Sequence, residues 1–146
     1  MSEDECFVFM MPKNKKGRQP FIDLLANRSI GKMAHNMKFE ETWSVVRLRQ
    51  PVANWEWDSM LASHVLDNRP GICSLKFQTY INFGIIDYES EVSPYLKSAS
   101  KDGNALNRIF EADESKLMEY CALDSVYEYR LAMKQIEIMR YDFLPF

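Results

Sequence analysis

The sequence predicts an α/β domain, and three observations carry that expectation. The continuously apolar run "CFVFMM" (6–11) and the short segment "IGKMA" (30–34) read as strands. Later segments space their apolar residues as helices do, and the strongest of them runs from about Glu114 to Met139. Strands come early and helices late, without internal repeats. The 146 residues suffice for one core, so 1–146 is read as a single domain.

In order, "CFVFMM" lies between the acidic "SEDE" and Pro12 and reads as a buried strand. "PKNKKGR" reads as a solvated basic loop, with a phosphate-contacting loop as the alternative. In "QPFIDLLANRS", Pro20 suits a first helical turn, and Phe21, Leu24 and Leu25 share a face. After the strand at 30–34 the period turns helical, with Phe39, Trp43 and Val46 on one side and Pro51 as the stop. "NWEW" reads as a short strand or extended entry, "DSMLASHVL" as a helix ended by "DNRPG", and "SLKFQTYINFG" as a helix capped by Ser74 and stopped at Gly84. Residues 85–112 read as a long polar connection with one helical turn, its Ser/Lys/Asp/Gly/Asn patch at 98–104. Asp113 suits a cap for the last helix, and "DFLPF" ends it. Two strands alone make no stable sheet, so part of the sheet is expected to come from elsewhere.

Bulk properties narrow the function. A net charge of −3 excludes the broad basic field of many DNA-binding modules, so contact with nucleic acid has to be local or assisted by cations. Three scattered cysteines and two histidines exclude a CxxC zinc site or a disulfide framework, which points to a reducing cytoplasm. No run has the length of a membrane span, so no membrane partner is expected.

Chemistry is sought first in "EYCALDSVYEYRL". Tyr120 and Asp124 are one turn apart on one helical face, and Tyr127 and Leu131 continue the stripe. A carboxylate can hold a hard cation, and a neighbouring phenol can orient a water. A tyrosine-rich amphipathic helix with an exposed Asp is the plainer reading. The stretch "HNMKFEE" adds a second acid: a strand ending near Asn36 and a helix starting near Phe39 put Glu40 at a carboxyl strand end, where open α/β sheets form their crevices. There Glu40 also favours the helix dipole. His35 is read as shaping the strand end.

Taken together, "Asn36-Met-Lys-Phe39-Glu40" and "Tyr120-Cys-Ala-Leu-Asp124" resemble the second and third motifs of the 3′–5′ proofreading exonuclease domain of family-A, polymerase-I-like DNA polymerases. "WDSMLASHVLDNRPG" and "CSLKFQTYINFG" resemble the helices between them, so the likeness covers about residues 20–137. It implies a ribonuclease-H-like fold of the tyrosine subclass of DEDD exonucleases, here N-terminally truncated. Also implied are Mg²⁺ or Mn²⁺ held by Glu40 and Asp124, with Tyr120 placing the attacking water. Asn36 and Phe39 would then meet the terminal nucleotide of a single-stranded DNA 3′ end. The setting implied is a bacterial cytoplasm, that of the host if the gene is a phage's.

Two departures qualify what the likeness implies. The family's opening Asp-x-Glu motif has no counterpart at the end of a strand, since "Glu3-Asp4-Glu5" precedes one. The chain is therefore expected to begin inside the domain, with a partner such as the remaining polymerase chain supplying the missing strands. Glu40 stands where Asp is usual, and a one-methylene shift of a ligand costs about 100-fold in rate if uncompensated. The resulting expectation is weak activity for this chain alone, with a catalytically incomplete module that binds DNA or a polymerase partner as the alternative.

Overall fold

The computed structural model describes residues 4–98 and 106–143, the last three by their backbone alone. Its centre is a pair of parallel strands, β1 (Lys32–Ala34) and β2 (Trp55–Asp58). Parallel strands need a long crossover. Here it consists of α2 (Met37–Trp43), a π-helical turn (Ser44–Leu48) and an irregular return past Pro51. The other helices are α1 (Lys15–Ala26), α3 (Ser59–Leu66), α4 (Leu75–Phe83), the short α5 (Ser93–Leu96) and the long α6 (Glu114–Phe143), with a 3₁₀ turn at Ile109–Glu111. The architecture is thus α/β and helix-dominated. No helix among the described residues is long and apolar enough to cross a membrane.

Several expected boundaries hold for the expected reasons. The Ser74 hydroxyl accepts from the Phe77 amide at 3.3 Å, and Gly84 closes α4 in the left-handed conformation at φ 67°. The Asp113 carboxylate accepts from the Lys116 amide at 3.0 Å at the head of α6. Two expectations fail. Helix α1 starts before Pro20, because the Asn14 side chain caps it by accepting from the Gly17 amide at 2.7 Å. The basic "PKNKKGR" stretch is therefore largely helix, and Pro20 lies inside it. The run 6–11 is not a strand. Its backbone makes no backbone–backbone hydrogen bond among the described residues, and Phe7 is 91% exposed. An apolar run needs a pairing partner before it becomes a strand, and β1 pairs with β2 instead. The patch at 99–104 and the terminal 144–146 lie outside the described residues.

Helix α6 packs on α3, α4 and β1. Its inner stripe buries Tyr127, Leu131 and Ala132, but the interior is unusually polar, since Ser59, Ser63, Gln78, Thr79 and Gln135 are buried with them. Gln135 joins three elements: Trp57 Nε1 donates to its Oε1 at 3.0 Å, and its Nε2 donates to the Ser59 carbonyl at 3.0 Å and to Ser63 Oγ at 2.9 Å. These bonds fix the rotation of α6 against β2 and α3. Gln135→Ala strands the half-buried Trp57 indole N–H and removes two buried bonds to α3, so a loss of about 2 kcal/mol is expected from the shift in urea midpoint. A loss below about 0.5 kcal/mol would show that water replaces the amide without cost.

Candidate functional site

A cleft of about 960 Å³ runs along β1 and past its carboxyl end, and its lining includes Glu40, Tyr88, Tyr120, Asp124 and Glu128. The local chain path into it depends on Asn36 and Asp58. Asn36 takes the left-handed conformation (φ 73°, ψ 60°), which Asn tolerates better than most residues, and this turns β1 into α2. The Asp58 carboxylate then accepts from the amides of Asn36 at 3.2 Å and Met37 at 2.9 Å, and also from Met60 at 3.0 Å and Leu61 at 3.2 Å. One side chain thereby caps α3 and holds the start of α2, the helix that carries Glu40.

Along α6, Tyr120, Asp124 and Glu128 are spaced one turn apart and all line the cleft. Tyr88, from the connection after α4, donates its hydroxyl to Asp124 Oδ1 at 2.8 Å and stacks on Tyr120 with ring centroids 6.1 Å apart. Tyr88 also meets the Tyr127 ring edge-on at 5.1 Å. His35 Nδ1 lies 2.9 Å from Ser59 Oγ, while its buried Nε2 and the buried Glu128 Oε1 lack a hydrogen-bond partner among the described residues.

Burial dominates the electrostatics. It raises the Asp124 carboxyl above the ordinary range, opposed by the Tyr88 and Tyr120 hydroxyls and reinforced by Glu89. It lifts Glu128 to about 7, with Ser59 opposing and the charges of Asp58 and Glu40 adding. Partial desolvation also raises Glu40. Both Tyr88 and Tyr120 are pushed upward by burial first and by the Asp124 charge second. They are neutral phenols at physiological pH, able to donate hydrogen bonds but not to act as bases. Burial lowers His35, partly offset by the Cys73 backbone and the Asp58 charge, so the imidazole favours its neutral form. Lysine and arginine side chains (Arg18, Lys32, Arg47 and Lys76) line the cleft as well, and Lys76 pairs with Glu89 at 2.5 Å.

Of the residues expected to form a site, Glu40, Tyr120 and Asp124 share this cleft, whereas Asn36 and Phe39 do not line it. The Asn36 backbone N–H donates to Asp58, and Phe39, 54% exposed, meets Trp43 edge-on at 6.1 Å. From α2 it is Trp43, not Phe39, that joins the aromatics lining the cleft. Glu128 and Tyr88 escaped the sequence reading. Glu128 had a signal, because it continues the Tyr120–Asp124 spacing by another four residues. Tyr127 and Leu131 instead turn inward, at 9% and 1% exposure. Nothing in the sequence near Tyr88 marked it.

The implied Mg²⁺ or Mn²⁺ requires several oxygen ligands at one point. Asp124 Oδ1 is engaged by Tyr88, and no group of three or more His, Cys, Asp or Glu side chains converges among the described residues. The donor set, as placed, does not amount to a two-metal centre. Comparison with protein-family models and with curated proteins gives no match to the chain.

Proposed function

We propose that the chain is the tyrosine-and-carboxylate part of a 3′–5′ exonuclease module of a DNA polymerase, built on a ribonuclease-H-like plan and acting on a single-stranded DNA 3′ end. The observation that supports this most is that Glu40, from the helix after β1, lines the same cleft as Tyr120 and Asp124 from the last helix. Chance motif matches have no reason to meet in one cleft.

Each residue has a role suited to its surroundings. The neutral Tyr120 hydroxyl orients a water by hydrogen bonding. Glu128, titrating near neutrality, suits proton transfer to or from that water. The lining cations meet the phosphate backbone and Trp43 offers a stacking face. Binding Mg²⁺ or Mn²⁺ productively would take ligands beyond those gathered among the described residues, so weak turnover by the chain alone is expected. A second reading, a module that binds DNA or a polymerase partner without cutting, is favoured by the engagement of Asp124 by Tyr88.

The test is release of the terminal nucleotide from 3′-labelled single-stranded DNA with Mn²⁺. Slow release is expected, lowered at least about tenfold by Asp124→Ala and by Tyr120→Phe. Robust release indifferent to Asp124→Ala would overturn the proposal. Mn²⁺-independent DNA binding without any release would select the second reading.

A further inference from the structure

We propose that the segment Cys6–Met11 is a self-pairing strand: two copies of this chain associate by laying it antiparallel against itself, with the two-fold axis at Phe9. The backbone from Cys6 to Met11 makes no backbone–backbone hydrogen bond among the described residues, so its donors and acceptors can form a ladder. The segment is nonetheless anchored. Cys6 Sγ lies 3.6 Å from the Ala122 carbonyl, Asp4 pairs with Arg130, the Phe9 ring meets Phe21 edge-on at 5.6 Å, and Arg18 Nε donates to the Pro12 carbonyl at 2.5 Å. A run of unpaired backbone held against α6 and α1 is an edge without a neighbour.

Side-chain exposure shows which face is open. Phe7, Phe9 and Met11 are 91%, 50% and 41% exposed, while Cys6 and Val8 are half-buried. From Cys6 to Phe9 that alternation is the period of a strand; Met10, 56% exposed, departs from it, so the run is open on both faces at its C-terminal end.

Charge identifies the occupant. Acidic Asp4 and Glu5 precede the apolar run, and basic Lys13, Lys15 and Lys16 follow it. In an antiparallel pair centred on Phe9, each Glu5 lies opposite the second copy's Lys13, each Phe7 opposite Met11, and Phe9 opposite Phe9. Acid meets base and apolar meets apolar on the same open face, and directly opposed pairs are the unit of sheet stabilisation. Parallel pairing would set acid against acid and base against base. A one-residue slip would turn Phe7 and Phe9 toward the wrong face. Because the surface is self-complementary, the interface closes as a two-fold dimer.

Sedimentation velocity on the full chain under reducing conditions, from about 1 to 100 µM, tests this. A dimer with a dissociation constant on the order of 10 µM is expected. Phe7→Lys should weaken it at least about tenfold. Since the Phe7 side chain is almost fully exposed, the far-UV spectrum should be unchanged. Glu5→Lys and Lys13→Glu should each weaken the dimer several-fold, and the double reversal should restore it to within about twofold. A monomer across the whole range overturns the proposal, as does a dimer indifferent to Phe7→Lys or a double reversal that fails to recover affinity.

Discussion

Asp58→Ala is expected to lower stability by about 3–4 kcal/mol, more than any other single removal of a polar group here. One helix cap contributes about 1 kcal/mol, and a hydrogen bond to a charged group about 1.5–3. The Asp58 carboxylate accepts four backbone amides, two at the head of α3 and two at the start of α2, so its loss frays both helices at once. Asn is also a good cap. Asp58→Asn keeps an acceptor for the three amides on Oδ1 and sets a donor against the Met37 amide, so its cost should be about half that of Ala. Urea unfolding of the three proteins checks this. Equal losses for Ala and Asn, or a loss below about 1 kcal/mol for Ala, would show that water supports these amides equally well. A second consequence concerns the site. Asp58 orients the first turn of α2, so Asp58→Ala should also lower any Mn²⁺-dependent nuclease signal, although Asp58 is a positioning residue rather than one that meets substrate.

What could be read from the sequence was local, and what could not was tertiary. Ser74 and Gly84 mark the ends of α4 by their own chemistry, and the structure keeps both. The α6 pattern was equally plain. By contrast, the apolar run at 6–11 predicted a strand because composition cannot report whether a pairing partner exists. Pro20 misplaced α1 because its preference for a first turn yielded to the Asn14 cap. Within the site, helical spacing placed Tyr120 and Asp124 on one face, and the carboxyl-end rule placed Glu40. The same spacing read four residues further would have found Glu128. Tyr127 competes with it because a helix of period 3.6 lets both three- and four-residue steps count as one stripe, and only packing decides which faces the core. Tyr88 comes from an irregular connection, where no periodicity aims a side chain.

Glu128 gives the sharpest test of the electrostatics, because its titration should appear in the stability of the fold. Burial raises its carboxyl from 4.5 to about 7. The folded state therefore holds the proton more tightly than the unfolded chain. The resulting stabilisation is complete below about pH 4.5 and is lost as pH rises through about 7. With 1.36 kcal/mol per pH unit, the loss across that window is about 2–3 kcal/mol after allowance for solvent relaxation. Glu40 and Asp124 are shifted in the same direction and add to the slope. His35 is depressed and opposes it, because stability from its neutral form is lost as pH falls below the ordinary histidine range. The comparison with Glu128→Gln separates these contributions. Gln keeps the shape and cannot ionise, so the variant should match the wild type near pH 4 and exceed it by about 2–3 kcal/mol at pH 8, read from urea midpoints. The variant should also relieve the charge that Glu128 and Glu40 impose on each other. A constant difference between the two proteins from pH 4 to 8 would mean that Glu128 is solvated in both protonation states. The acid wall of the cleft would then lack the burial that suits Glu128 to proton transfer near neutral pH.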